Sequence, residues 1–233
     1  MTSMEYKIKE SIKALQLAAK MSEQYYHKPL VITYSGGKDS DVLLDLAIRA
    51  DIDMVVVNSH TTADAPQTVW HIRDVFRRLQ DRGIKTKIIY PTYKGERVSM
   101  WTLIPQKLTP PTRLIRYCCK VLKETSTPQS FVATGVRADE SAKRSKGKTF
   151  EIRRSQIKMH IGHDLDHIQE VYQEAKEMPE VYDCMYITKV KQNKDAVVNP
   201  IINWTHREVW SYIHTYIQAY VNCMIWAIPV WDA

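Results

Sequence analysis

The sequence lacks any long apolar run. No stretch reaches the roughly 18 consecutive apolar residues that a membrane-spanning helix needs, and the opening segment MTSMEYKIKESIKALQ has no apolar core of the kind found in signal peptides. Cysteine is also scarce, with 4 residues in the chain. Without a secretion signal, so few cysteines indicate reduced thiols or metal ligands and not a disulfide framework. The sequence therefore predicts a cytoplasmic protein without a membrane partner.

Internal repeats, low-complexity tracts and long linkers are absent as well. With 233 residues, 44% of them hydrophobic, the chain is long enough for one domain with a sizeable core. We predict a single domain over residues 1–220. It comprises a leading helix (1–28), a core sheet with a glycine-rich loop (29–150) and a helical C-terminal part (151–220), while 221–233 form an atypical tail.

The charge balance is basic. Lysine and arginine number 33 against 26 aspartates and glutamates, so the formal net charge is +7. Such an excess indicates an anionic partner: a nucleotide, a nucleic acid or a sulfate ester. The alternative is a basic surface that serves solubility alone.

Short β-branched runs alternate with helical patterns. The runs PLVITYS, DMVVVNS, TKIIYP and FVATG predict four buried strands, and a helix between the second and third is expected to stop at Gly83. Further helices are predicted over about 5–26 and over 163–178, and one is predicted to begin with a capping box formed by Thr205 and Glu208. Strands that alternate with helices predict an α/β fold with a doubly wound, mainly parallel sheet.

The strongest local motif is YSGGKDS, residues 34–40, between the first strand and its helix. Two consecutive glycines allow a sharp turn that brings backbone N–H groups close to a ligand, and the helix that follows presents its positive end. Serine hydroxyls and a lysine add further donors, so the motif predicts a cradle for pyrophosphate or sulfate, although an incidental glycine turn is the alternative. The spacing is not that of the Walker motif. The predicted phosphate-binding residues are Ser35, Gly36, Gly37, Lys38, Asp39 and Ser40.

This motif resembles the S-G-G-x-D-S signature of the ATP pyrophosphatase (PP-loop) superfamily. Three further stretches narrow the resemblance to the phosphoadenosine phosphosulfate (PAPS) reductase family: RLIRYCCKVLK, GVRADESAKR and NPIINWTHREVWSYI. They occur in the family's order and cover residues from about 29 to 220. The resemblance implies an adenine nucleotide alpha hydrolase-like, Rossmann-like fold with a five-stranded, mainly parallel sheet and extra C-terminal helices.

The resemblance also implies where an adenine nucleotide would bind. The base would lie near Val57, Asn58 and Ser59, and the phosphates or sulfate would contact the PP-loop and the GVRADESAKR segment. Where relatives carry a Thr-Gly and then an acidic-Phe-Pro-Glu-Thr pattern, this chain reads TTADAPQT, without the glycine and the glutamate. Surface ion pairs at a solvated helix start are the alternative for the second segment. Its candidate ligand-binding residues are Gly135, Arg137, Glu140, Ser141 and Arg144.

The intact PP-loop indicates which branch of the family this chain is similar to. The chain lacks the Glu-Cys-Gly-Leu-His motif of thiol-dependent PAPS reductases and looks more like the branch that contains the ATP sulfurylase small subunit and DNA phosphorothioation sulfurtransferases. That branch implies attack on the α-phosphorus of ATP, release of pyrophosphate and assistance by Mg²⁺. The catalytic candidates are Lys38, Asp39, Cys118 and Cys119.

Three alternatives stay open for the function. Binding of an adenylyl sulfate or PAPS would imply sulfonucleotide reduction in place of adenylation. A sulfurtransferase component would act on DNA or tRNA, which the basic charge favours. A truncated product would bind nucleotide without turnover. The acceptor, the electron donor and the oligomeric state are open as well.

Cys118 and Cys119 are candidates for half of an iron–sulfur site. Many family members bind a four-iron cluster through a Cys-Cys pair and a later Cys-x-x-Cys, and a cluster needs four thiolates. The remaining cysteines here, Cys184 and Cys223, do not have that spacing. The resemblance therefore implies an incomplete site, and a 4Fe–4S cluster only in a full-length form.

The tail YVNCMIWAIPVWDA indicates what a full-length form would contain in place of residues 221–233. When residues 221–233 are back-translated and read from the third base of the Val221 codon, the allowed amino acids are compatible with Glu-Leu-Tyr-Asp-Met-Gly-Tyr-x-Arg-Leu-Gly-Cys, the continuation seen in relatives. In that frame the genetic code forces the first Leu, the Asp and both Gly. We therefore expect a frameshifted, truncated end, with a native tryptophan-rich docking tail as the alternative. The coding DNA tests this, because a stop in the shifted frame before any Cys-x-x-Cys would exclude the frameshift.

Overall fold

The structure is a computed structural model. The predicted helix at 163–178, the atypical tail and two of the four cysteines, Cys184 and Cys223, lie outside the residues that it describes. The described residues are 2–112, 115–119, 121–122, 130–141, 144–147, 149–152, 185–186 and 196–217.

In the part of the chain that the structure describes, nine strands form a large sheet and a small hairpin. The strands are β1 (Leu30–Thr33), β2 (Met54–Ser59), β3 (Lys85–Ile89), β4 (Thr92–Tyr93), β5 (Glu96–Arg97), β6 (Phe131–Ala133), β7 (Phe150–Ile152), β8 (Met185–Tyr186) and β9 (Ala196–Val198). The large sheet has the order β3-β2-β1-β6-β9-β7-β8, and β4 pairs with β5 in an antiparallel hairpin.

The first five strands in that order, β3 to β9, are mutually parallel. This confirms the predicted α/β fold with a mainly parallel sheet, although the described sheet has seven strands where five were predicted. Two more strands extend the sheet: β7 pairs antiparallel with β9, and β8 pairs parallel with β7. They have three and two residues, too short to produce a recognisable sequence pattern. The part predicted to be helical, 151–220, thus also contributes strands.

Within the described residues, six α-helices connect or follow these strands. They are α1 (Ser3–Tyr26), α2 (Lys38–Arg49), α3 (Pro66–Asp81), α4 (Met100–Lys107), the single turn α5 (Tyr117–Cys119) and α6 (His206–Tyr212), which continues as a π-helical turn (Ile213–Ile217); two 3₁₀ turns cover Ala138–Glu140 and Arg144–Lys146. None of the described helices is long and apolar enough to cross a bilayer.

Local sequence signals account for the helix ends. Helix α3 begins with Pro66, whose fixed φ suits a first helical position. It is followed by Gly83 at φ +78, whose N–H donates to the Gln80 carbonyl at 2.8 Å. The predicted stop is confirmed. At α6, Thr205 accepts a hydrogen bond from the Glu208 N–H, and the Thr205 N–H donates to the Glu208 carboxylate, which confirms the predicted capping box.

One face of the sheet carries the main core. Apolar side chains of α1, α2, α3 and α6 pack there against alternate residues of the strands, among them Ile32, Val56 and Phe131. The intervening residues of the same strands form a second buried cluster on the opposite face, which includes Val31, Val57 and Val132. Both faces of the sheet are therefore apolar, as expected of a parallel sheet.

Candidate functional site

A cavity of about 340 Å³ lies at the carboxyl ends of the central strands. Strand β1 leads through α2 to β2 on one side, whereas β6 lies on its other side, so the strand order reverses at β1. Open α/β sheets bind ligands at such a reversal. The cavity is lined by Thr33, Tyr34, Ser35, Asp39, Ser40, Val57, Asn58, Ser59, Thr61, Asp64, Thr134, Gly135, Val136, Glu140 and Arg144.

The PP-loop requires glycine at its first turn. Gly36 has φ +74, and a Cβ there would lie 2.8 Å from Cγ1 of Ile72 on α3. Both the backbone conformation and the close packing against α3 exclude a larger side chain. Gly37 follows in extended conformation as the N-cap of α2, so the loop leads directly into the positive end of that helix.

Serine hydroxyls hold the loop in shape. Ser40 Oγ donates to the Gly37 carbonyl at 2.7 Å and accepts from the Gly37 N–H at 3.0 Å. Ser35 Oγ donates to Ser40 Oγ at 3.2 Å. Both serines also line the cavity, so the residues that shape the loop belong to the cavity wall.

Arg137 pairs with the PP-loop aspartate. Its side chain is 3% exposed, and its Nε donates to Asp39 Oδ1 at 2.8 Å. Asp139 lies 3.4 Å from the same guanidinium, and the Lys38 ammonium lies 3.5 Å from Asp39 Oδ2. Asp39 lines the cavity, whereas Arg137 and Lys38 do not. Their predicted contacts with phosphate stay predictions.

The loop after β6 packs tightly against the start of α2. A Cβ on Gly135 would lie 3.0 Å from the Asp39 carbonyl oxygen, so only glycine allows this approach. The loop then brings Glu140 and Arg144, which form an ion pair with each other, to the cavity wall. Ser141 lies outside the wall and accepts a weak hydrogen bond from the Arg144 N–H at 3.4 Å.

The end of β2 supplies the opposite wall. Val57, Asn58 and Ser59, the predicted base-binding residues, all line the cavity. Asn58 is 5% exposed, and its amide donates to the Tyr34 carbonyl at 2.8 Å. This bond fixes the end of β1 to that of β2 and orients the wall.

Sequence reasoning missed several polar residues of the cavity. Thr61 and Asp64 belong to the TTADAPQT segment, and the Thr61 hydroxyl donates to Asp64 at 2.6 Å. Thr134 donates to Asn199 at 2.5 Å. The signal for Thr134 was its place at the end of a predicted strand, next to Gly135. No pattern in the sequence marked Asp64.

A polar cluster lies beneath the loop, between α2 and α3. The Tyr34 hydroxyl donates to Asp41 at 2.7 Å and lies 2.9 Å from Nε2 of His71. Burial, and then the Asp41 carboxylate, raises the pKa of Tyr34 far above its ordinary value, so the phenol stays protonated. The cluster ties both helices to the end of β1 and thereby positions the PP-loop.

Cys118 and Cys119 are not part of the cavity wall. They lie in α5, where Cys118 packs against an apolar cluster formed by Val98, Leu103, Val121 and Leu122. The two sulfur atoms are 4.0 Å apart. Burial and the neighbouring thiol raise the pKa of Cys118, which disfavours a thiolate. Their catalytic role stays a prediction.

Within the described residues, no group of three or more histidines, cysteines, aspartates or glutamates is arranged to hold a metal ion. Three carboxylates, Asp39, Asp64 and Glu140, nevertheless line the cavity. Asp39 pairs with Arg137 and Glu140 with Arg144, whereas Asp64 accepts a hydrogen bond from the Thr61 hydroxyl.

Comparison with known proteins identifies relatives in sulfur metabolism. Sulfate adenylyltransferase subunit 2 of Sulfurovum sp. (strain NBC37-1) is 26% identical over 195 residues, which cover 79% of this chain and 56% of that protein. The protein of the same name from Geobacter metallireducens is 27% identical over 195 residues, with the same coverage. The chain thus spans about half the length of the curated relatives that it matches.

Solved structures give a weaker match. The Candida glabrata FMN adenylyltransferase, in complex with FMN and an ATP analogue, is 10% identical with a TM-score of 0.44, over 91% of this chain and 58% of that one. The family model named phosphoadenosine phosphosulfate reductase domain matches residues 29–222. Because this match covers most of the chain, including the PP-loop and the whole cavity wall, the protein belongs to the phosphoadenosine phosphosulfate reductase family.

Proposed function

We propose that this chain is an adenine-nucleotide-binding enzyme of sulfur metabolism that binds ATP in the cavity at the carboxyl ends of β1, β2 and β6. The observation that carries the proposal is the position of the PP-loop, whose Ser35 and Ser40 face a cavity at the point where the strand order reverses. An adenylyl sulfate or PAPS is the alternative ligand.

The two walls of the cavity suit the two ends of a nucleotide. The PP-loop and the start of α2 offer hydroxyls, backbone N–H groups and the positive end of a helix to the phosphates. The end of β2, from Val57 to Ser59, offers an apolar side chain and polar groups to the base. The volume of about 340 Å³ falls within the range of small-molecule sites.

The chemistry that fits this arrangement is adenylyl transfer. An acceptor oxygen attacks the α-phosphorus of ATP, the bond to the β-phosphate oxygen breaks, and pyrophosphate leaves with the electron pair. Sulfate as acceptor would give adenylyl sulfate and pyrophosphate. The names of the relatives, sulfate adenylyltransferase subunit 2, favour this reaction over sulfonucleotide reduction. The loop N–H groups and Lys38 would stabilise the departing pyrophosphate.

Mg²⁺ fits the carboxylates that face the cavity. Asp39 and Asp64 would hold it together with phosphate oxygens, and the ion would neutralise charge on the leaving group. The carboxylate of Asp39 would then have two tasks, because it also forms an ion pair with the buried Arg137. An iron–sulfur cluster does not fit the described residues, because they supply two thiols, Cys118 and Cys119, where four are needed.

A nucleic-acid acceptor is the second candidate, favoured by the net charge of +7. Pyrophosphate release separates the two candidates: sulfate should stimulate it in the first case, and single-stranded DNA or tRNA in the second. Nucleotide binding without any pyrophosphate release would indicate a binder without turnover.

Isothermal titration with Mg²⁺–ATP tests nucleotide binding directly. We expect Lys38→Ala to weaken ATP binding by about tenfold, because a cation beside the pyrophosphate is lost. Lys9→Ala removes the same charge from an exposed site on α1 and should leave the affinity within about twofold. Absence of ATP binding by the unmodified protein, or equal losses in both variants, would contradict the proposal.

A further inference from the structure

Three cations lie close to two tyrosines beside the cavity. One of them, Lys107, also donates a hydrogen bond to the Tyr93 hydroxyl at 2.7 Å. The Arg97 guanidinium lies 3.6 Å from the ring centre of Tyr90. The ammonium groups of Lys107 and Lys94 lie 4.2 and 5.7 Å from the ring centre of Tyr93. These residues come from the β4–β5 hairpin, the end of β3 and the end of α4. We call the set of Tyr90, Tyr93, Lys94, Arg97 and Lys107 the hairpin surface.

The hairpin surface is open to solvent and carries uncompensated positive charge. Tyr90 is 40% exposed, and Lys94 and Arg97 are exposed as well. None of its three cations forms an ion pair with a described carboxylate. Residues 85–107 contain five basic residues and one acidic residue. The exposed arginines of α3 differ, since Arg77 and Arg78 both form ion pairs with Asp74.

The hairpin surface begins at the edge of the cavity. Ser59, which lines the cavity, pairs in register with Ile89 at the end of β3. The next residue, His60, donates its N–H to the Ile89 carbonyl at 2.9 Å, and its ring contacts Tyr90 edge-on at 5.5 Å. A continuous path of contacts therefore leads from the cavity wall through His60 to Tyr90 and Arg97.

Aromatic rings interleaved with cations are what single-stranded nucleic acids require. Unpaired bases stack on aromatic rings or on guanidinium planes, while lysine and arginine contact the phosphates. A small anion such as sulfate needs an enclosed pocket with convergent donors, and an extended exposed strip provides none. A duplex hides its base faces, so it could use the charges but not the rings.

We propose that the hairpin surface binds a single-stranded nucleic acid and holds it at the edge of the nucleotide cavity. The inference rests on the proposed function in one respect, namely that the cavity holds the nucleotide. It names the macromolecule that would lie next to that nucleotide.

Fluorescence anisotropy with labelled oligonucleotides of about 20 nucleotides tests the proposal, since that length exceeds typical single-strand site sizes. The protein is titrated with single-stranded DNA, single-stranded RNA of the same sequence, and the DNA duplex. The test variant is Tyr90→Ala/Arg97→Ala. The matched control is Tyr6→Ala/Lys9→Ala, which removes one tyrosine of similar exposure, 38%, and one exposed cation from α1.

The test variant should bind single strands at least about tenfold more weakly than the unmodified protein, because one stacking platform and one phosphate contact are lost. The slope of log affinity against log salt should fall by about 0.7 between about 50 and 200 mM salt. The control variant should change affinity by less than about twofold and should keep the slope. A weaker affinity of the test variant for single-stranded DNA, for single-stranded RNA or for both supports binding at the hairpin surface. The comparison of the two nucleic acids shows which sugar the surface accepts.

Equal losses in the two double variants, or duplex binding as tight as single-strand binding, would overturn the proposal. ATP titration of the same variants separates this failure from failure of the proposed function. Normal ATP binding together with absent single-strand binding rejects the hairpin surface alone. Absent ATP binding in the unmodified protein rejects the proposed function, whatever the oligonucleotides show.

Discussion

Arg137 shows how a single residue links the site to the fold. A nearly buried guanidinium is costly unless a carboxylate compensates it, and here Asp39 of the PP-loop provides that carboxylate at 2.8 Å. Asp139, which also lies near Arg137, accepts a hydrogen bond from the His206 N–H at the start of α6 at 2.9 Å. The start of α2, the loop after β6 and α6 thus meet at one side chain.

We expect Asp39→Asn to lower the free energy of unfolding by about 3 kcal/mol, because the buried Arg137 loses the nearer of its two charged partners and keeps only the more distant Asp139. The double variant Asp39→Asn/Arg137→Met should be less destabilised than the sum of the single variants, with a coupling of about 1–3 kcal/mol. Urea unfolding of all four proteins measures this cycle. Additivity within about 0.5 kcal/mol would mean that the pair contributes nothing as a pair.

Gly135→Ala should destabilise the protein by about 1–3 kcal/mol, because the new Cβ meets backbone atoms that cannot rotate away. The nearest is the Asp39 carbonyl oxygen at 3.0 Å. Gly37→Ala is the control: its Cβ would have Ser35 Oγ at 3.6 Å and its φ is −101, so it should cost less than about 1 kcal/mol. Equal effects in chemical unfolding would contradict the close approach.

At the scale of elements, helix α6 is held by one glutamate with two tasks. Glu208 completes the capping box with Thr205. Its carboxylate also forms an ion pair with the Lys7 ammonium of α1 at 2.7 Å. Partial burial opposes ionisation, but the hydrogen bonds from Lys7 and Thr205 prevail and lower the pKa of Glu208 below its ordinary 4.5. The ionised form therefore favours the folded state.

A group whose pKa is lower in the folded state contributes stability above its unfolded pKa and loses it as the pH falls through the folded pKa. Glu208→Gln, which keeps a capping side chain, should therefore cost about 0.5–1 kcal/mol at neutral pH. The difference from the unmodified protein should shrink as the pH falls below 4.5. Unfolding curves across this range measure it, with Lys7→Met as control, since it should remove much of the dependence. A difference independent of pH would exclude the ionic contribution.

At the scale of the whole molecule, buried hydrogen bonds join helix α1 to the segment that follows β9. Ser11 of α1 is 1% exposed; it donates to the Pro200 carbonyl at 2.8 Å and accepts from the Trp204 indole N–H at 3.2 Å. These bonds join residues almost two hundred positions apart. Helix α1 therefore contributes to the same cooperative unit as the segment that follows β9.

Ser11→Ala should lower the free energy of unfolding by about 1–3 kcal/mol, because a buried carbonyl and a buried indole N–H both lose their partner. Ser22→Ala is the matched control: Ser22 is also buried, its hydroxyl donates a local hydrogen bond to the Lys28 carbonyl at 2.8 Å, and its loss should cost about 1 kcal/mol. Denaturant titration followed by far-ultraviolet circular dichroism compares them. A smaller loss for Ser11→Ala than for Ser22→Ala would contradict this account.

Much of the fold followed from local patterns. The four predicted strands are present because runs such as LVIT and MVVVNS are buried on both faces, which makes them continuously apolar. Strands β7, β8 and β9 have two or three residues each and were not predicted. Strand β6 is as short, but its apolar FVA run is followed closely by Gly135, and a turn residue after such a run favours a strand. The PP-loop was predicted from its glycines. The position of Asp64 in the cavity wall was not predicted, because it depends on how the β2–α3 loop packs beside the cavity.

Neighbouring residues along the chain are enough to predict the α/β architecture, the PP-loop and the positions of helix ends, because these depend on apolar period, glycine conformation and capping side chains. The contacts of each candidate residue depend instead on tertiary packing. In the folded chain, Arg137 pairs with Asp39. Cys118 and Cys119 lie outside the cavity wall, and the hairpin surface lies beside Ser59. These outcomes depend on which strand ends meet at the edge of the sheet, and that is set by packing between segments distant in sequence.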